Sequence, residues 1–233
     1  DEVHADMAEI EYLCSAVNRY FSKQIKPDNV LWTYSGIRPL LDDGGDRASA
    51  VTRDYILELD DWQGAPILSV FGGKITTFRR LSEQAGDMLV AKLGKGKGAW
   101  TKGAHLPGGE MQTSNFETFF KTFRKEFNWM PEELIRRYAR AYGTRTRVFL
   151  RGCRRIPDLG RNFGDDVYEI ELLYLIKHEW ALTIEDILWR RSKLGLHVSE
   201  ETKAGIADFL HAHFEGGKEQ KKGQNFPPCS TTF

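Results

Sequence analysis

Three cations, Arg38, Arg53 and Lys74, stand near strand ends or a helix start in the first part of this 233-residue chain. Arginine presents a planar fork that matches two phosphate oxygens, whereas lysine supplies a compact point charge. Two arginines and a lysine in one place would suit an anionic small molecule, with Lys74 facing a second ligand. The same residues could instead form surface ion pairs with Asp42, Asp43, Asp54 or Glu58, and their types alone leave both readings open. Lys74 lies in Ser69-Val-Phe-Gly-Gly-Lys-Ile-Thr-Thr77, which reads as a short buried strand, a Gly72-Gly73 turn and a helix opening near Ile75. A helix start has free N–H groups and a positive dipole end, so it attracts anions. Glycine admits a close ligand, and Thr76 and Thr77 add hydroxyl donors. A tight turn with no ligand fits the stretch equally. Neither the G-x-x-x-x-G-K-[ST] nor the G-x-G-x-x-G phosphate fingerprint is present here.

The elements that must position these cations follow from periodicity. Residues 5–24 predict an amphipathic packing helix, with Ile10, Leu13, Cys14, Val17, Tyr20 and Phe21 at helical spacing. Residues 30–35 predict a strand running into Arg38, which Pro39 holds extended. Residues 51–59 alternate so that Arg53, Tyr55, Leu57 and Leu59 share one strand face, and residues 66–71 form the next strand. Pairing of the two as a hairpin brings Arg53 towards the sheet carrying Gly72. The following helix buries Phe78, Leu81, Ala85, Met88 and Leu89.

Gly94-Lys-Gly-Lys-Gly98 predicts a linker, after which the chain turns helical. Ser114 with Glu117 forms a capping box, and Phe116, Phe119, Phe120, Phe123 and Phe127 line one helix face as core. Pro131 opens the next helix, with Leu134, Tyr138 and Tyr142 inward and Gly143 as its stop. A short helix or turn over 144–151 and a loop over 153–163 lead to helices over 167–180 and 184–193. Ser199 caps a last helix buried through Ile206, Phe209 and Leu210, and a polar, disordered tail is expected from Gly216. The expected class is α+β. Residues 1–93 form part of a mixed domain, 94–98 a linker, 99–215 an all-α domain and 216–233 the tail.

Composition narrows the function classes. Lysine plus arginine and aspartate plus glutamate are both 33, so no global field favours nucleic acid. Cys14, Cys153 and Cys229 are widely spaced and odd in number, without zinc or disulfide spacing, which fits a reducing cytoplasm. The acids of Asp42-Asp43-Gly44-Gly45-Asp46 fail the calcium-loop spacing, and His211 and His213 do not face one another on a helix, so no metal is expected. No G-x-S-x-G, no supported Cys–His pair and no H-E-x-x-H occurs, which argues against hydrolysis. Arg154-Arg155 and Arg190-Arg191 read as solvated or paired with local acids. No apolar run approaches the roughly 18–20 residues of a membrane span.

Taken together, W-T-Y-S-G-I-R-P-L, T-R-D-Y and S-V-F-G-G-K-I-T-T-F-R-R-L resemble the FAD-dependent sn-glycerol-3-phosphate dehydrogenases. The resemblance continues through P-G-G, R-Y-A-R-A-Y-G, D-L-G…F-G, K-H-E-W and L-W-R-R-S-K-L-G, similar to that family's C-terminal domain. It implies oxidation of glycerol 3-phosphate to dihydroxyacetone phosphate, with a hydride passing to FAD and electrons going on to membrane quinone. By the resemblance, Arg38 and Arg53 face the substrate phosphate. Gly72, Gly73, Lys74, Ile75 and Thr76 close over the flavin, and Lys74, with Arg38, belongs to the catalytic set. It also implies an FAD-binding segment preceding Asp1 and a cytoplasmic protein peripheral on the inner face of the membrane. For the helical domain a structural, homodimer-forming or partner-docking role is expected. The flavin fingerprint and a catalytic base are absent from these residues, so the chain alone is expected to be inactive. Rival readings are a glycerol-3-phosphate oxidase using oxygen and a non-catalytic helical interaction module.

Overall fold

The computed structural model describes residues 3–37, 54–60 and 64–220, with side chains to residue 214. The chain divides into two compact units, residues 1–105 and 106–233. The architecture is α+β, mostly helical with one two-stranded antiparallel sheet among the described residues.

In the first unit, α1 (Met7–Asn18) starts at Asp6, whose carboxylate accepts from the Glu9 amide while Glu9 reaches back to the Asp6 amide. It ends before the expected Gln24 because Asn18 turns its side chain on Ile25, donating to the carbonyl and accepting from the amide at 2.9 Å each. Among its apolar positions only Cys14 is buried. Residues 30–35, expected as a strand, are irregular; no neighbouring strand among the described residues offers them ladder partners. The hairpin forms as expected. β1 (Tyr55–Asp60) pairs with β2 (Ile67–Gly72) in the register Tyr55↔Gly72 to Asp60↔Ile67. Tyr55, Leu57 and Leu59 take the more covered face, as the alternation requires. A 3₁₀ turn over Ile75–Thr77 precedes α2 (Phe78–Leu93), which Gly94 closes in the left-handed conformation. Leu81, Ala85 and Met88 are half-buried on α2, but Phe78 and Leu89 are exposed. The expected linker, Gly94–Gly98, follows α2 directly. Beyond it, Thr101 returns to α2, its amide and hydroxyl donating to Glu83 at 3.0 and 2.5 Å.

The second unit holds the core. α3 (Phe116–Glu126) is capped by Asn115, which accepts from the Thr118 amide at 3.0 Å, one residue later than the expected Ser114. Phe119, Phe120, Phe123 and Phe127 are buried, and the stripe continues as stacked and tilted rings 4.9–5.0 Å apart from Phe119 through Phe123 to Phe127. α4 (Glu132–Tyr142) buries Leu134, Tyr138 and Tyr142 and stops at Gly143. After α5 (Thr146–Phe149) and a 3₁₀ turn at Ile156–Leu159 comes α6 (Glu169–Glu179). The expected helix over 184–193 is largely a π turn, Asp186–Arg190. α7 (Glu200–Gln220) buries Ile206 and Leu210. Its backbone remains helical past Gly216 and Gly217, where the expected tail begins, because glycine weakens a helix without blocking it. Residues 221–233 lie outside the described residues.

Two close constraints in this unit are open to measurement. Gly143 has φ +53°, and a Cβ there would lie 2.1 Å from the Gly108 carbonyl oxygen. Gly143→Ala should therefore lower stability by at least about 2 kcal/mol, read from denaturant unfolding. Asp186 accepts from the Leu182 and Thr183 amides at 3.0 and 3.1 Å and from Arg190, and these bonds hold its pKa down to about 2. Its folded value lies below the unfolded one of about 3.9, so the stabilisation is present above that pH and is lost as pH falls from about 4 through about 2. In Asp186→Asn, the stability difference between pH 5 and pH 2 should shrink.

Candidate functional site

The hairpin register sets Tyr55 opposite Gly72 and so places β1 against the glycine corner. Gly72 and Gly73 have φ +69° and +95°, conformations that favour glycine. A Cβ on Gly73 would meet Tyr55 Cβ at 3.3 Å and Leu81 at 3.6 Å, so the strand and α2 close one side of the corner. The Tyr55 hydroxyl donates to Gln84 Oε1 and ties that strand to the helix. Lys74 follows in extended conformation and is half-buried. Thr77 Oγ1 donates to the Lys74 carbonyl at 2.8 Å, while the Thr77 amide donates to the same oxygen at 2.9 Å. Thr77 is thus occupied with its own backbone turn. Ile75 and Thr76 are exposed, and a helix start leaves its first amides without an internal partner. Among the described residues Lys74 makes no ion pair, so the corner presents a cation beside available amides. Arg38 and Arg53, the other two residues of the expected site, lie outside the described residues, as do the acids of the 42–46 loop.

A second polar cluster, which residue spacing did not single out, lies inside the helical unit. Glu171 on α6 is fully buried. Arg137 of α4 grips it with two nitrogens at 2.6 and 2.8 Å, and the Tyr142 hydroxyl donates to it at 2.6 Å. Burial opposes the charge on Arg137, but the charge and hydrogen bonds of Glu171 more than offset it and leave that guanidinium harder to deprotonate than usual. Burial, then Glu171, raises the Tyr142 phenol well above its ordinary value. The available signal was an acid at helical spacing from Val167, Tyr174 and Leu175, all buried; an acid on such a face needs a partner. The arginine pairs expected to be solvated or paired do meet acids: Arg155 lies 3.1 Å from Asp158 and Arg190 3.0 Å from Asp186. No group of three potential metal ligands occurs among the described residues, and no described helix is long and apolar enough to cross a membrane.

Residues 99–221 match the family described as the C-terminal domain of alpha-glycerophosphate oxidase. The chain is also similar to D-erythritol 1-phosphate dehydrogenase of Brucella abortus, 47% identical over 210 residues that cover 90% of this chain and 42% of that protein. It is 41% identical over 209 residues to aerobic glycerol-3-phosphate dehydrogenase of Escherichia coli K12, covering 89% of this chain and 42% of that one. Glycerol-3-phosphate dehydrogenase of Pseudomonas aeruginosa is 44% identical over 208 residues, covering 88% and 40%. The chain therefore spans about two-fifths of the length of these relatives. The matched lengths exceed the whole second unit, so the similarity extends into the first.

The buried cluster yields a paired test. Glu171→Ala leaves Arg137 without its carboxylate and should cost about 3–5 kcal/mol of stability. The buried Tyr138 hydroxyl finds no hydrogen-bond partner among the described residues, so Tyr138→Phe should be neutral or stabilising by up to about 1 kcal/mol. Chemical denaturation of both variants checks the contrast.

Proposed function

The chain belongs to the family of the C-terminal domain of alpha-glycerophosphate oxidase, and from that premise we propose that it is the substrate-side and helical part of a flavin-linked glycerol-3-phosphate dehydrogenase. The reaction takes glycerol 3-phosphate to dihydroxyacetone phosphate. One observation carries this reading. Three relatives at 41–47% identity, each named as a dehydrogenase of a polyol monophosphate, match a stretch that reaches beyond the helical unit. The first unit would complete a split domain whose other part lies elsewhere in the full-length protein. Its uncovered apolar side chains, among them Ile67, Val70, Phe71 and Phe78, support that role.

In this reading Arg38 and Arg53 bind the substrate phosphate, for which the guanidinium fork is suited. Gly72, Gly73, Lys74, Ile75 and Thr76 fit a flavin: two glycines with positive φ, exposed first-turn amides and an ammonium free of carboxylates among the described residues suit an anionic group. FAD, when bound, supplies the hydride acceptor; Lys74 contributes positive charge that favours an electron-rich neighbour. Quinone is the proposed electron acceptor, reached by a peripheral membrane contact, with oxygen as the rival acceptor.

D-Erythritol 1-phosphate is a second substrate reading, favoured by the 47% identity to the Brucella abortus protein. The full-length protein should reduce a quinone analogue or dye with glycerol 3-phosphate; a clear preference for D-erythritol 1-phosphate would move the assignment to that substrate, and peroxide formation would move it to the oxidase. Arg53→Ala should raise the KM for the phosphate ester at least about tenfold, the scale of one charge-assisted contact. Lys74→Met should lower kcat more than it raises KM. The 233-residue chain alone should give no turnover, and robust activity from it would overturn the split-domain reading.

A further inference from the structure

Lys74 is the cation of the glycine corner, and among the described residues no carboxylate holds its ammonium. A lysine ammonium rides on a flexible four-carbon stem. Where the charge can reach is therefore set from the other end, by the backbone from which the stem starts. That backbone is extended, with φ −122° and ψ 154°, and stands immediately before the 3₁₀ turn over Ile75–Thr77.

Three hydrogen bonds to Thr77 hold it there. The Thr77 amide and hydroxyl both donate to the Lys74 carbonyl, at 2.9 and 2.8 Å. The same hydroxyl accepts from the Lys74 amide at 3.3 Å. One side chain thus engages both backbone groups of Lys74. It also reaches the glycines, since a Cβ on Gly73 would lie 3.8 Å from Thr77 Oγ1. The two adjacent threonines differ in this respect: Thr76 is exposed, whereas Thr77 is half-buried with its hydroxyl committed on both sides. A hydroxyl has one proton, and that of Thr77 goes to the Lys74 carbonyl, so none is left to donate to a ligand. Any effect of this hydroxyl on a bound molecule must pass through Lys74. Branching at Cβ restricts χ1 and keeps the hydroxyl where it meets both groups.

We propose that Thr77 is a positioning residue for Lys74, its hydroxyl fixing the backbone that aims the ammonium at an anionic group over the glycine corner. The inference rests on the flavin reading of that corner and extends it to a residue that has no proton of its own to offer the cofactor.

The full-length, FAD-loaded protein tests it, with the flavin midpoint potential and dye-linked kcat as separate readouts. A cation beside an electron-rich ring favours its reduced form, so Lys74→Met should lower both. Valine keeps the shape of threonine and loses the hydroxyl. Thr77→Val should lower both readouts in the same direction. Its kcat should fall about fivefold, the scale of one neutral hydrogen bond, while KM for glycerol 3-phosphate changes less than about twofold. Thr77→Ser, which retains the hydroxyl, should restore both. In a Lys74→Met background Thr77→Val should change neither further, because nothing is left to position. Hydrogen exchange reads the backbone directly and needs no turnover: the Lys74 amide should exchange faster in Thr77→Val and at the parent rate in Thr77→Ser. An unchanged exchange rate, no rescue by serine, or an equal loss with and without Lys74 would overturn the proposal. If Lys74→Met moves both readouts and Thr77→Val neither, the positioning role alone falls; if Lys74→Met moves neither, the flavin reading of the corner falls with it.

Discussion

The Glu171 carboxylate is the constraint on which the helical unit depends. It is fully buried and draws three short bonds from α4, two from Arg137 and one from Tyr142. A buried charge of this kind is tolerable only with near-complete hydrogen bonding, so α4 and α6 can approach in few ways. The same Arg137 also donates to the Asp166 carbonyl at 2.8 Å. There Asp165 and Asp166 both take positive φ, and the Asp165 carboxylate accepts from the Ser199 amide and hydroxyl and from the Thr202 hydroxyl at 2.8–2.9 Å. One ion pair thus leads, through a strained turn, to the cap of α7. Apolar burial supplies the bulk of the stability, while this polar chain fixes which arrangement of the helices is adopted.

The first unit is built on a different footing. A two-stranded hairpin is marginal by itself. Its connection to α2 runs through the Tyr55–Gln84 hydrogen bond and the approach of Tyr55 and Leu81 to Gly73. Arg79, Glu83 and Thr101 then anchor the residues after α2, with Arg79 2.9 Å from Glu83. The glycine corner is therefore held from the side of β1 and α2. Apolar side chains such as Phe71 and Phe78 remain uncovered next to it. Surface of that kind is what the proposed split domain would cover.

What could be seen in the sequence depended on whether the deciding contact was local. The phenylalanine stripe of α3, the stop at Gly143 and the hairpin alternation arise from spacing within one element, and each is present. The strand expected over 30–35 needs a neighbour for its backbone groups, which periodicity cannot provide. Ser114 and Asn115 can both cap, and the choice turns on a one-residue shift that placement of Phe119 and Phe120 in the core decides. Glu171 could be suspected from its apolar neighbours, but choosing Arg137 from so many arginines required the fold. At the glycine corner, the turn at Gly72 and Gly73 was legible because paired glycines follow a strand pattern; Arg38 and Arg53 lie outside the described residues.

The buried ion pair also bears on a cleft of about 380 Å³ beside it, between α4 and the segment from Arg190 to His197. Arg137 forms part of the cleft wall, yet its NH1 and NH2 already engage Glu171, and NH2 the Asp166 carbonyl as well. A ligand would gain little direct bonding from it, since the stronger carboxylate partner is already in place. Arg137 is thus committed to holding α4 and α6 together.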